Sequence, residues 1–185
     1  MSSSGPDQMT LAAGTKLNNE LTPTRSLLFY TLTATIPIAV IAATLLFTKM
    51  SGRALSFLSL AAAIVATVAF GRLIYEMTLD IAGFPDYKLP IWSVFYLVMY
   101  LISAFAFLFF GMHVGAPGRY FGGFNEGPKC AFLDALYLSL VDYMGAAPDP
   151  SIKLKGQTAR FLTVIEGVLS MFINVVIITK FVNSF

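Results

Sequence analysis

The residues best suited to chemistry in this sequence are two aspartates, Asp142 and Asp149, in a short polar stretch after an apolar run. Carboxylate oxygens are the ligands that hard cations such as calcium and sodium prefer. Pro148 and Pro150 flank Asp149, which indicates a turn rather than a continued helix. This pattern predicts a site that handles ions. The alternative is that either aspartate only caps a turn, as Asp before Pro often does.

Other reactive residues do not form an enzyme site. Nucleotide-binding loops, paired catalytic carboxylates and a nucleophile with its base are all missing from the sequence. The single histidine, His113, follows an apolar stretch, and we expect it at a membrane interface. The single cysteine, Cys130, has no second thiol or histidine at metal-ligand spacing, and we expect it to pack. We therefore expect no enzyme, no cofactor and no resident metal.

Composition indicates an integral membrane protein. The chain has 185 residues, of which 57% are hydrophobic and 12% are charged. A formal net charge of +2 is too small to imply nucleic acid as a partner. We expect membrane lipid and inorganic cations instead.

Four stretches meet the length of about 20 mostly apolar residues that a spanning helix needs. They are 26–47, 54–78, 91–112 and 159–182. Residues 1–25 form a polar tail that we expect to be disordered, without the pattern of a cleaved signal, so the first span should stay in the protein. The second span is rich in small residues, which allow close helix packing in lipid. These are Ser59, Ala62, Ala63, Ala66 and Ala69.

An even number of spans places both termini on one side of the membrane. Lysines and arginines occur on both faces, so the positive-inside rule does not decide which side this is.

A fifth apolar segment, 128–150, is too short to cross a bilayer and predicts a re-entrant loop. Unpaired backbone groups cost several kcal/mol each in hydrocarbon, so such a loop must be buried in protein or line water. Gly127 and Pro128 are typical of a helix start, with Pro at the first helical position. Helical spacing then continues to Val141 through five apolar side chains. They are Phe132, Leu133, Leu136, Tyr137 and Leu140.

The last span carries a polar stripe on one narrow helical face. The face is formed by Thr163, Gly167, Ser170, Asn174, Ile177 and Phe181, with Glu166 at its border. Polar residues in a spanning helix face a bundle interior or a water-filled path. The stripe is therefore a pore lining or a polar packing seam, and we favour the lining because the re-entrant segment directly precedes it. Gly167 is a candidate hinge, with simple close packing as the alternative.

The residues from 91 to 185 resemble the tetrameric potassium-channel-like pore domains. The run 132–141, Phe-Leu-Asp-Ala-Leu-Tyr-Leu-Ser-Leu-Val, is similar to their pore helix, and 156–167, ending in the pair Glu166-Gly167, is similar to the start of their inner helix. The resemblance implies an all-α membrane protein with an outer helix, pore helix, filter and inner helix in a homotetramer. It also implies cytoplasmic termini in a plasma or inner membrane. The two predicted spans before it form a separate two-helix region, 26–90, which the resemblance does not cover.

The predicted filter departs from the potassium pattern. That pattern is Thr-Val-Gly-Tyr-Gly, whose glycines let successive carbonyls face the ion. Here the chain places Pro148 in the filter and alanine where glycine is needed, so the potassium cage should not form. The expected filter loop consists of Asp142, Tyr143, Met144, Gly145, Ala146, Ala147, Pro148 and Asp149.

We expect a ring of carboxylates in place of the potassium cage of carbonyls. Four copies of Asp142 or Asp149 would concentrate cations, and like charges held close would raise one another's pKa. Lys153 and Lys155 would partly cancel this charge. Asp134 in the pore helix could bond behind the filter, or pair with Lys129 or Arg160. We expect a cation channel of weak, non-potassium selectivity. The alternatives are a non-conducting relative that serves as a structural or sensing subunit, and a small transporter or unrelated four-helix protein.

Overall fold

A computed structural model describes residues 51–83 and 91–182 of the chain, together with the single position Ala39. Side chains are described for 51–75 and 94–175. The described elements are α1 (Gly52–Gly83), α2 (Ile91–Gly115), β1 (Phe121–Gly122), α3 (Pro128–Tyr143), β2 (Lys153–Leu154) and α4 (Gln157–Val182). The predicted tail, and the predicted first span apart from Ala39, lie outside the described residues.

The described part is mostly helical, as predicted. Three of its helices contain segments long and apolar enough to cross a membrane, namely Gly52–Tyr75, Val94–Gly115 and Gln157–Val175. These segments correspond to the second, third and fourth predicted spans. The geometry is therefore compatible with a multi-pass membrane protein.

Helices α1 and α2 pack antiparallel through small residues. Gly52 lies beside Val114, and the Ser56 hydroxyl donates to the Gly111 carbonyl at 2.8 Å. A Cβ added at Gly111 would lie 3.2 Å from the Ser59 Cβ, which is tighter than ordinary contact. The small residues predicted to face another helix do so, because four of the five are buried. They are Ser59, Ala62, Ala63 and Ala66.

Helix α2 carries the centre of the hydrophobic core. Its phenylalanines Phe107, Phe109 and Phe110 are almost completely buried. Phe132 of α3 contacts both Phe107 and Phe110, with ring centroids 5.3 and 5.5 Å apart. Phe121 of β1 contacts Phe109 with centroids 5.5 Å apart. Ring contacts of this kind add to the burial of apolar area, so α3 and β1 are both anchored on α2.

A short antiparallel ladder, which the sequence did not predict, joins the segments before and after α3. Phe121 pairs with Leu154, and Gly122 pairs with Lys153. The Lys155 N–H also donates to the Tyr120 carbonyl at 2.9 Å. Strands of two residues are too short to show an alternating pattern, so the sequence carried no signal for them.

Candidate functional site

Helix α3 begins as the sequence predicted, with glycine outside it and proline at its first position. Gly127 has φ of 95°, a conformation that favours glycine, and Pro128 follows it. The helix has 16 residues, which at 1.5 Å per residue makes it about 24 Å long. This is shorter than the hydrocarbon core of about 30 Å.

The C-terminus of α3 closes with a Schellman motif. The Ala146 N–H donates to the Val141 carbonyl at 3.0 Å, and the Gly145 N–H donates to the Asp142 carbonyl at 3.1 Å. Gly145 occupies the left-handed position with φ of 65°. Glycine is needed here because an added Cβ is disfavoured at positive φ. The motif ends the helix sharply and turns the chain back.

After this turn the chain returns to the ladder from which α3 started. Gly123, just after β1, lies so close to the Ser151 carbonyl that it has no room for a side chain. Residues 146–149 have no regular structure, and no described residue other than glycine has positive φ. We call 144–150 the return segment. Pro148 is half-buried, and the remaining residues of the segment are exposed.

Asp142 lies in the last turn of α3. Its side chain is half-buried, and its Oδ2 atom has no hydrogen-bond partner among the described residues. Burial raises the pKa of the Asp142 carboxyl to about 6, because desolvation disfavours the charged form. Asp142 also acts electrostatically on Glu166 of α4.

Asp149 lies on the exposed return segment and closes a turn. Its Oδ1 atom accepts from the Ser151 N–H at 2.7 Å, and its carbonyl accepts from the Ile152 N–H at 2.9 Å. Hydrogen bonds from the Ser151 side chain and backbone hold the pKa of Asp149 below its usual value. The turn-capping role considered for Asp149 is thus present, and its carboxylate remains charged and exposed.

Asp134 ties α3 to the loop before it. Its carboxylate accepts from the Asn125 backbone N–H at 2.6 Å and from the Asn125 side-chain amide at 3.1 Å. Arg160, one of the predicted partners of Asp134, donates from Nε to the Leu154 carbonyl at 3.3 Å. Asp134 therefore helps to fix the N-terminal half of α3.

The polar stripe of α4 lies largely in a seam against α3 and α2. Glu166 and Ser170 are buried, with 0% and 2% of their surfaces exposed. The Ser139 hydroxyl of α3 contacts Glu166 Oε1, and the Tyr143 hydroxyl donates to Asn174 Oδ1 at 2.9 Å. This is the arrangement expected of the packing-seam alternative.

The rest of the stripe is only partly enclosed. Thr163 is half-buried and donates to the Arg160 carbonyl at 2.9 Å. A Cβ added at Gly167 would meet no heavy atom within 4 Å, so close packing within one chain does not explain this glycine. The side chains of Ile177 and Phe181 lie outside the described residues. The exposed face of α4 is apolar and includes Phe161, Val164, Val168, Met171, Phe172 and Val175.

Ser139 is the site residue that sequence reasoning missed. It is fully buried and contacts both Glu166 Oε1 and the Ile102 carbonyl, the latter at 3.0 Å. A signal was present, because Ser139 lies four residues before Tyr143 and so shares its helical face. One small hydroxyl among leucines is too common to single out from sequence.

No protein-family model, curated protein or solved structure matches this chain. Within the described ranges, no group of three or more His, Cys, Asp or Glu side chains is placed to hold a metal ion. The resemblance to potassium-channel-like pore domains therefore stays a prediction from the sequence.

Proposed function

We propose that the chain is one subunit of a tetrameric cation channel whose filter is not of the potassium type. In this proposal α2 is the outer helix, α3 the re-entrant pore helix, the return segment the filter, and α4 the inner helix. Four copies surround one axis, and the return segments line its narrow part.

The observation that carries this proposal is the path of the chain through α3 and the return segment. Helix α3 is too short to span, and the β1–β2 ladder ties together the segments on either side of it. Tyr143, at its far end, contacts Asn174 well inside α4. A chain that penetrates partway and returns to the same end needs protein or water around its backbone. The return segment is exposed in the single chain. In the proposed tetramer, the other subunits and a water-filled central pathway therefore surround its backbone.

Asp149 is the carboxylate that the geometry makes available to passing cations. It is exposed, and hydrogen bonds from Ser151 lower its pKa in the single chain, which favours its negative charge. Asp142 is half-buried in the last turn of α3 instead. A ring of Asp149 carboxylates favours cations over anions without the carbonyl cage that selects potassium.

The non-conducting alternative is favoured by one specific observation. Ser170 and Glu166 are buried in the seam, so the polar stripe does not offer these groups to a central pathway. An inner helix with only apolar side chains facing the axis would make a hydrophobic constriction that excludes water. A relative of this kind would serve as a structural or sensing subunit.

Ion flux through purified protein in liposomes separates these two functions. We expect sodium and potassium to pass at comparable rates, and Asp149→Asn to lower cation over anion preference. Glu126→Gln is the matched control, because Glu126 is also an exposed carboxylate but lies in the loop before α3 rather than in the return segment. Silence of the wild type under varied pH, calcium and membrane tension would favour the non-conducting subunit.

A further inference from the structure

The seam between α3 and α4 contains a buried contact of three oxygen atoms from three helices. The Ser139 hydroxyl of α3 lies within hydrogen-bond distance of Glu166 Oε1 on α4 and of the Ile102 carbonyl on α2. Ser139 and Glu166 each have 0% of their surface exposed. Bulk water therefore does not supply hydrogen-bond partners to these two side chains.

The number of available protons decides how these oxygens are bonded. A serine hydroxyl has one proton to donate, whereas a backbone carbonyl can only accept. If Ser139 donates to Glu166, its contact with Ile102 lacks a proton. If Ser139 donates to Ile102, the proton between Ser139 and Glu166 must come from the glutamate.

The second carboxyl oxygen points to the same conclusion. Oε2 of Glu166 is buried and has no hydrogen-bond partner among the described residues. A charged carboxylate in this position would carry a large desolvation cost without compensation. A neutral carboxylic acid needs fewer partners, and its O–H satisfies Ser139.

We infer that Glu166 is a buried proton-binding site, in which the neutral acid donates to Ser139 and Ser139 donates to the Ile102 carbonyl. The bound proton joins α4 to α3 and α3 to α2. The inference concerns the seam itself and holds whether or not the assembly conducts ions.

The helices packed against Glu166 bring one like charge near it. From α3, Asp142 acts on Glu166 as a like charge, and the Tyr143 hydroxyl is engaged by Asn174. The titratable residues of the described α2 side chains are Tyr96, Tyr100 and His113, and His113 lies at the ladder end against Phe124. On α4, the Ser170 hydroxyl bonds the backbone carbonyl of Glu166 at 2.8 Å and leaves its carboxyl free.

Loss of the proton would break the seam at this point. A bare Glu166 carboxylate would face Asp142 across the seam, and Ser139 could no longer serve both of its neighbours. Separation of α3 from α4 would follow as pH rises. In a channel of the proposed kind, this would couple the pore helix to the inner helix through one proton.

Infrared spectroscopy of the full-length protein in detergent tests whether the acid is neutral. At pH 7 we expect a carbonyl stretch from a protonated carboxylic acid in the wild type and in Asp142→Asn, and its loss in Glu166→Gln. An unchanged spectrum in Glu166→Gln would overturn the inference. If that variant does not fold, Ser139→Ala supplies the test, because the same band should persist and shift when its acceptor is removed. A Ser139→Ala band identical to the wild-type band would equally overturn it.

Thermal unfolding against pH provides an independent measurement. The Tm of the wild type should fall as pH rises, because the seam holds the neutral acid. Glutamine keeps a donor to Ser139 but has no proton to lose, so the Tm of Glu166→Gln should depend less on pH. Equal pH dependence in the two proteins would contradict the inference, and this result is independent of any flux measurement.

Discussion

The hydroxyl of Tyr143 donates a hydrogen bond to Oδ1 of Asn174 across 2.9 Å, joining the last residue of α3 to the interior of α4. Together with the Ser139–Glu166 contact, it sets the register of the two helices. The end of α3, and with it the start of the return segment, is thus held at a defined depth along α4.

Replacing Tyr143 with phenylalanine should destabilise the protein by about 1 kcal/mol, the usual net value of one hydrogen bond. The aromatic ring is retained, so the lost stability reflects the hydrogen bond to Asn174, whose Oδ1 atom is left without its donor. Unfolding in detergent measures it. Tyr137→Phe is the matched control, because Tyr137 is on the same helix and 43% exposed. Equal effects in both variants would mean that the Tyr143 contact contributes no stability.

Asp142 should make the protein less stable as pH rises through about 6. Burial raises its pKa from 3.8 to about 6, so its neutral form is the one that the folded protein favours. The contribution of neutral Asp142 to the free energy of unfolding is fully present below pH 3.8 and is lost as pH rises through about 6. Asp142→Asn should flatten this part of the stability profile.

The pH dependence of Asp142 has a matched control in Asp149. Its pKa is lowered, so its contribution should instead be lost as pH falls through that lowered pKa, at strongly acidic pH. Asp149→Asn should leave the profile near pH 6 unchanged. The same change in both variants would assign the effect to general charge rather than to the burial of Asp142.

Two glycines should respond to alanine in opposite directions. Gly145 has φ of 65° in the Schellman motif, where alanine costs roughly 1–2 kcal/mol. Gly167 is helical with open space around a Cβ, where alanine should stabilise by about 0.5–1 kcal/mol. Chemical denaturation measures both. A destabilising Gly167→Ala would indicate that another subunit packs against this position.

The single cysteine reports the orientation of the chain directly. Cys130 is exposed in the first turn of α3, at the ladder end. With cytoplasmic termini, a membrane-impermeant maleimide should label it in intact cells. Lysines and arginines occur on both faces, so the positive-inside rule does not decide the orientation, whereas the labelling result does.

Controls for the labelling are simple because no second thiol exists. Cys130→Ser should remain unlabelled under all conditions. A permeable maleimide should label the wild type in either orientation. Labelling by the impermeant reagent only after the cells are opened would place the ladder end in the cytoplasm and reverse the predicted topology.

The sequence by itself determined that these helices form and approximately where they lie. Apolar runs of sufficient length predicted three described helices, and Gly127 with Pro128 predicted where α3 begins. These features are local, because length, hydropathy and the φ restriction of proline do not depend on distant residues. The small residues of α1 predicted a close helix contact for the same reason.

Only the tertiary structure decided which way the polar residues face and what they touch. A helical stripe fixes a direction around one axis but not the identity of its neighbour, so the sequence favoured a pore lining and left a packing seam as the alternative. Ser139 and Tyr143 on α3 contact Glu166 and Asn174 on α4, and these contacts show which part of the stripe lies against α3. The two-residue strands and the exposed position of Asp149 also depend on contacts between distant segments, and no local pattern encodes them.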